Sequence, residues 1–159
     1  MDTHEPRWLN AEEKQTWLSL AAMVINLSNA LDTQLQRDAG ISHFEYQVLA
    51  TLSEATERTL RMSELALLAN GSLSRLSHVV KRLEKQGWVH RTPDPDNGRY
   101  TLALLTEAGR DKVAATAPGH VEEVRRLVLD PLTQTQQRTL RTIGHRINQA
   151  IDPAATCPR

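Results

Sequence analysis

The stretch from Trp88 to Leu104 constrains this chain more than any other. Trp88-Val89-His90-Arg91-Thr92 reads as a short strand, Pro93-Asp94-Pro95-Asp96-Asn97-Gly98 is dense turn chemistry, and Arg99-Tyr100-Thr101-Leu102-Ala103-Leu104 reads as a returning strand. One β-hairpin is therefore predicted. In the segments around it the apolar residues recur at steps of three or four, the period of a helix buried along one face. Leu and Ala dominate the apolar residues and aromatics are few (three Trp, two Tyr, one Phe), which suits a core made by helices rather than sheets. The expected fold class is mainly α with one small β-hairpin.

From Ala11 to Arg37 a stripe of Trp17, Leu20, Val24, Leu27, Leu31 and Leu35 predicts one long helix, ended by Gly40. Ser42 and Glu45 form a capping box that opens a second helix running to about Ala55. Thr56 to Arg61 reads as a loop or short connecting strand. Ser63 is placed to N-cap a short helix, Glu64 to Ala69, which Asn70-Gly71 stops. Ser72 caps the next, with apolar Leu73, Leu76, Val79, Val80 and Leu83, and Gly87 ends it. After the hairpin a helix starts near Thr106 and continues past Pro118-Gly119 as a kinked or broken element to Leu129. Thr133 and Gln136 cap a last helix with Leu140, Ile143, Ile147 and Ile151 on one face. Residues 152–159 are expected to be a disordered tail. They hold the single cysteine, Cys157, so an intrachain disulfide is impossible and only an intermolecular bridge is open to it.

Two short helices, a tight turn and a hairpin with a polar tip make a winged helix-turn-helix, whose second helix enters the major groove of DNA. That assigns Ser72 to Gln86 as the recognition helix. Ser74, Arg75 and His78, near its N-terminus with Ser72, are the candidates for reading base edges, and Ser77 also lies among the outward positions. Lys81, Arg82 and Lys85 lie further along and suit phosphates. A basic helix stripe by itself is more often just a solvated face. The hairpin shifts that balance, because Arg99 beyond the Asn97-Gly98 turn is placed to enter the narrow, electronegative minor groove. Net charge is zero, yet residues 72 to 100 hold six basic and three acidic side chains against four and nine in residues 1 to 60. The basic charge is thus concentrated where the reader is predicted.

Other function classes find little support. No apolar run approaches the roughly 18 residues needed to cross a bilayer, and the polar, acidic Met1 to Asn10 has no signal-peptide pattern, so a cytoplasmic protein without membrane contact is expected. No Gly-rich phosphate loop, HExxH or nucleophile elbow is present, and neither enzyme activity nor a cofactor is expected. The histidines His4, His43, His78, His90, His120 and His145 include no pair three or four apart. Two alternatives remain open: a metal-sensing regulator whose ligands come from distant residues, and a winged helix that contacts proteins without binding DNA. The apolar stripes of the first and last helices read equally as intrachain core or as a dimer face.

The runs Met62-Ser63-Glu64-Leu65-Ala66, Ser74 through Arg91, and Leu105-Thr106-Glu107-Ala108-Gly109 resemble the multiple antibiotic resistance regulator (MarR) family, in order across residues 11 to 151. The resemblance implies one MarR-like unit over 1–159, with dimerisation helices at 11–38 and 106–151 around a winged helix-turn-helix at 42–105. It also implies a homodimer on a pseudo-palindromic operator, acting as a repressor relieved by a small aromatic or phenolic effector, for which Trp17, His43, Phe44 and Tyr46 are the candidate pocket residues. Family members carry Asp-x-Arg at the wing, and here the matching residues are Asn97-Gly98-Arg99. Asn97 cannot form the charge pair, so Arg99 is expected to be less firmly oriented unless Asp94 or Asp96 substitutes.

Overall fold

The computed structural model describes residues 6–152. Helix α1, Ala11–Ala39, starts at a capping box the sequence reading did not foresee: Asn10 accepts from the Glu13 amide and Glu13 accepts from the Asn10 amide, both at 2.9 Å. It ends at Gly40, whose left-handed φ of 67° suits a residue without Cβ. Helix α2, His43–Glu54, begins at the predicted Ser42/Glu45 box. Strand β1, Thr59–Arg61, then leads directly into α3, Met62–Leu68. Ser63 is not the cap of α3. Arg61 holds the cap position without capping the helix amides through its side chain, because Met62, 8% exposed, is drawn into the core and pulls the helix start forward.

Helix α4, Leu73–Lys85, is capped by Ser72, whose side chain accepts from the Arg75 amide. Strands β2, Val89–Pro93, and β3, Thr101–Leu105, form the predicted hairpin with shifted limits. Trp88 is outside β2 because its amide closes the end of α4 on the Leu83 carbonyl at 3.0 Å. Arg99 and Tyr100 belong to the turn, where the Tyr100 amide bonds the Asn97 carbonyl at 2.9 Å. The predicted loop or strand before α3 becomes a third strand: the antiparallel sheet has the order β1-β3-β2, with Leu60 opposite Ala103 and Arg91 opposite the same residue. Pro93 sits on the edge strand, where a missing amide donor is tolerated.

The core is formed by α2, α3, α4 and the sheet. Leu49, Leu52, Leu65, Leu76, Val80 and Ala103 are sealed from solvent, joined by Leu35 at the end of α1. Burial of each leucine contributes about 1.5–3 kcal/mol, so this cluster supplies the reader's main stabilisation. Leu73, expected in the apolar stripe of α4, is instead half exposed, at the first turn where the helix has not yet reached the core.

Helix α5, Glu107–Val124, passes through Pro118 without breaking and is followed by a π turn, Arg125–Leu129. Pro118 is exposed, and one missing backbone bond within 18 helical residues is not enough to end the element. Its Lys112 donates to the Ala39 carbonyl at 2.6 Å and lies 5.0 Å from the Trp88 ring, tying α5 to the end of α1 and the start of the hairpin. Helix α6, Gln134–Ile151, starts at the predicted Thr133/Gln136 box. The chain divides into two compact units between His120 and Val121. The expected tail and Cys157 lie outside the described residues.

Candidate nucleic-acid interface

Helix α4 buries Leu76, Val79, Val80 and Leu83, and that choice of face turns Ser74, Arg75, His78, Lys81, Arg82 and Lys85 to solvent. Ser72, at the cap, is exposed as well. Ser77 differs from these: it is half-buried and looks into the cleft between α4 and the hairpin. Two arginines of the row are held from behind by α2. The Arg75 guanidinium lies 4.0 Å from the centroid of the Phe44 ring, and Arg82 Nε donates to Glu45 at 3.0 Å. Glu45 uses its other oxygen to close the Ser42 box, so one residue both starts α2 and orients a cation of α4. Gly71 permits the Phe44 position, since a Cβ there would run into the ring, with Cε2 at 2.7 Å.

At the hairpin tip Asn97 Oδ1 accepts from the Arg99 amide at 3.2 Å. The carboxamide therefore shapes the turn, and among the described residues no carboxylate braces the guanidinium. Asp94 does not substitute. Its carboxylate, 6% exposed, faces Arg61, with Nε at 3.0 Å and Nη2 at 2.9 Å, and Arg61 in turn stacks over Tyr100 at 4.5 Å. Glu84 holds Arg91 in the same manner, its Oε2 accepting from Nε at 3.0 Å and Nη2 at 2.7 Å. Arg61, Asp94, Glu84, Arg91 and Tyr100 were not singled out as site residues in sequence. The Arg61 to Asp94 pair spans 33 positions, a separation at which no local pattern carries a signal.

The Asp96 amide, and then the Arg61 guanidinium, hold the Asp94 carboxyl below its ordinary pKa against the opposing effect of burial. The Arg91 side chain does the same for Glu84. For carboxyls with lowered folded pKa values, the stability gained is fully present above about pH 4 and is lost as pH falls through the folded values. Asp94→Asn is therefore expected to flatten the acid limb of a stability-against-pH curve below pH of about 4. Thermal melts across that range check it, and an unchanged acid limb would mean that the brace adds nothing to folding.

Of the residues expected around a small ligand, the structure brings His43 and Tyr46 together with His120, at ring distances of 5.6 Å from His43 and 4.5 Å from Tyr46 to His120. They line a cleft of about 220 Å³. Burial lowers the pKa of both imidazoles, opposed at His43 by Asp32 and reinforced at His120 by His43, and burial raises that of the Tyr46 phenol. Trp17 and Phe44 do not line this cleft: Trp17 is 56% exposed on α1, and Phe44 is buried beneath Arg75. Among the described residues no group of three or more His, Cys, Asp or Glu is placed to hold a metal ion, and no helix is long and apolar enough to cross a membrane.

Comparison with known proteins gives this geometry its context. The model of the MarR family matches residues 41–101, from just before α2 to the first residue of β3. The crystal structure of Sco3205, a MarR family transcriptional regulator from Streptomyces coelicolor solved in complex with DNA, is 46% identical, covers 96% of this chain and 95% of its own, and superposes with a TM-score of 0.91. The chain belongs to the MarR family. AbsC, another MarR family regulator from the same organism, is 32% identical over 92% of this chain and 98% of its own, with a TM-score of 0.87. Among curated relatives, the transcriptional repressor MprA of Escherichia coli is 27% identical over 71% of this chain and 64% of its own length. The uncharacterised regulator YdcH of Bacillus subtilis is 31% identical over 49% of this chain. The chain spans 54% of YdcH, so these curated matches cover about half to two thirds of the relatives' lengths. This MarR-family member is a transcriptional regulator, with a mostly helical winged helix-turn-helix fold and relatives that are regulators rather than enzymes.

Proposed function

We propose that this MarR-family regulator binds a pseudo-palindromic DNA operator as a homodimer, with α4 in the major groove and the Arg99 hairpin in the adjacent minor groove. The observation that carries the reading is the exposed row Ser74, Arg75, His78, Lys81, Arg82 and Lys85 beside a hairpin that ends in an unbraced arginine. Ser74, Arg75 and His78 read bases, the remaining cations neutralise phosphates, and Ser72 and Ser77 flank them. Sco3205 in its DNA complex supports the assignment by likeness. Binding at chromosomal DNA entails residence in the cytoplasm.

The helices at 11–38 and 106–151 each supply surface for dimerisation. Trp17 and Val24 on α1 and Ile143, Ile147 and Ile151 on α6 are exposed in the single chain, and a two-fold partner covers such a surface while setting half-site spacing. Repression follows the example of MprA, named as a repressor. The cleft at His43, Tyr46 and His120, with two imidazoles whose charged form burial disfavours and a phenol, suits a small aromatic or phenolic effector that relieves repression.

Capture of genomic fragments by the purified protein, read by sequencing, tests the reading. One enriched pseudo-palindromic site, absent for an Arg75→Ala, Lys81→Ala variant, is the expected result. No enrichment at low salt overturns it. On the captured operator, Arg99→Ala is expected to cost about 1 kcal/mol, less than loss of a bidentate base contact, because the unbraced guanidinium pays ordering entropy on binding. Titration of labelled operator measures it, and unchanged affinity removes Arg99 from the interface.

A further inference from the structure

Between α4 and the wing lies a cleft of about 260 Å³ lined by Arg61, Ser63, Ser77, Arg91, Arg99 and Tyr100, together with Leu73. Only Arg99 and Ser77 of that set were predicted to meet DNA. We propose that this cleft seats a single backbone phosphate of the bound duplex, held by Arg61 and Arg91. The inference rests on the DNA-binding reading above and adds to it a site and its ligand. When a recognition helix fills the major groove and its wing enters the neighbouring minor groove, the phosphate ridge dividing the two grooves must lie over the gap between helix and wing. In this molecule that gap is the arginine-lined cleft.

The two arginines are prepared for such a ligand in the same way. Each offers its Nε and Nη2 edge to a carboxylate, Arg61 to Asp94 and Arg91 to Glu84. Among the described residues Nη1 of each makes no hydrogen bond, and the side chains remain 47% and 34% exposed. A guanidinium already fixed by a carboxylate and, for Arg61, by the Tyr100 ring loses little rotamer freedom when it meets a phosphate. Charge also matches. Asp94 and Glu84 each hold one arginine, Arg61 and Arg91, and Arg99 adds a third guanidinium to the cleft wall, so the wall as a whole keeps one net positive charge. Ser77, half-buried on α4 and facing the same space, adds a hydroxyl donor. The bracing that the wing lacks at Asn97 is thus supplied at its base.

The test is the salt dependence of binding to a random-sequence duplex of about 30 base pairs, where affinity reports phosphate contacts alone. For one shared phosphate, Arg61→Gln and Arg91→Gln each make the log–log slope shallower, and the double variant loses about 0.9 in total rather than the roughly 1.8 of two separate contacts. Arg126→Gln, outside the cleft, leaves the slope unchanged. Arg61→Lys keeps the charge and hence the slope, while its affinity falls. Thermal melts check folding. Should the arginine variants not fold, Ser77→Ala leaves both ion pairs intact and is expected to weaken binding about three- to tenfold, the net worth of one ordinary hydrogen bond. Failure of the wild type to bind any duplex at about 50 mM salt removes the DNA reading itself. A steep wild-type slope that the arginine variants share, unchanged affinity in Ser77→Ala, or a loss near 1.8 in the double variant, overturns the phosphate seat while leaving that reading in place.

Discussion

Gly109→Ala is expected to destabilise the protein by about 3 kcal/mol, lowering Tm by roughly 6–12 °C for a chain of this size. Gly109 is buried in the first turn of α5, against the junction of α4 and β2. Its amide donates to Thr106 Oγ1 at 3.0 Å, while Thr106 donates through its hydroxyl to Gly87 at 2.6 Å and through its amide to Trp88 at 3.0 Å. A Cβ at Gly109 would run into the Trp88 carbonyl and come within 2.6 Å of Leu105 Cδ1. The Trp88 carbonyl is already committed to Thr106 and precedes a paired strand, so it cannot retreat without disturbing the sheet that carries the wing. Gly119→Ala in the same helix is the control. Its nearest neighbour is Gln34 Nε2 at 3.6 Å, and alanine there is expected to stabilise by about 0.5–1 kcal/mol through helix propensity. Thermal melts of the two variants should move in opposite directions. A Gly109→Ala melt within 2 °C or so of wild type would show that the α5 start has room to shift.

Arg75→Ala is expected to have the largest effect on recognition, about 1–3 kcal/mol on the operator, or roughly 5- to 150-fold. Random duplex should lose much less, because a base-reading side chain adds little to backbone attraction. The Phe44 ring under its guanidinium supplies the preorganisation, and a cation–π contact of this kind is worth about 0.5–2 kcal/mol. Lys85→Ala, by contrast, should weaken operator and random DNA alike. The ratio of the two affinities is the measurement. If Arg75→Ala leaves that ratio at its wild-type value, Arg75 is not reading bases.

Much of the molecule was legible because its signals are local. Capping boxes at Ser42/Glu45 and Thr133/Gln136 involve residues three apart, the stops at Gly40 and Gly87 are single residues, and the apolar period of α4 decides by itself which face is outward. Errors occurred where a neighbour in space overrode a local preference. Ser63 was a plausible cap until Met62 took its place in the core, whereas at Pro118 the expected continuation to Leu129 holds and only the break does not occur.

The sequence by itself determined the order of elements, the hairpin, and the outward row of α4, since each follows from residues within one or two turns of one another. Tertiary structure alone decided that β1 joins the hairpin as a third strand and that Phe44 and Glu45 orient Arg75 and Arg82. It also decided that His120 meets His43 and Tyr46, and that Asp94 braces Arg61 rather than Arg99. The physical reason is that hydrogen bonds and ion pairs act over a few ångströms, and only the folded chain brings residues some 30 to 80 positions apart within that reach.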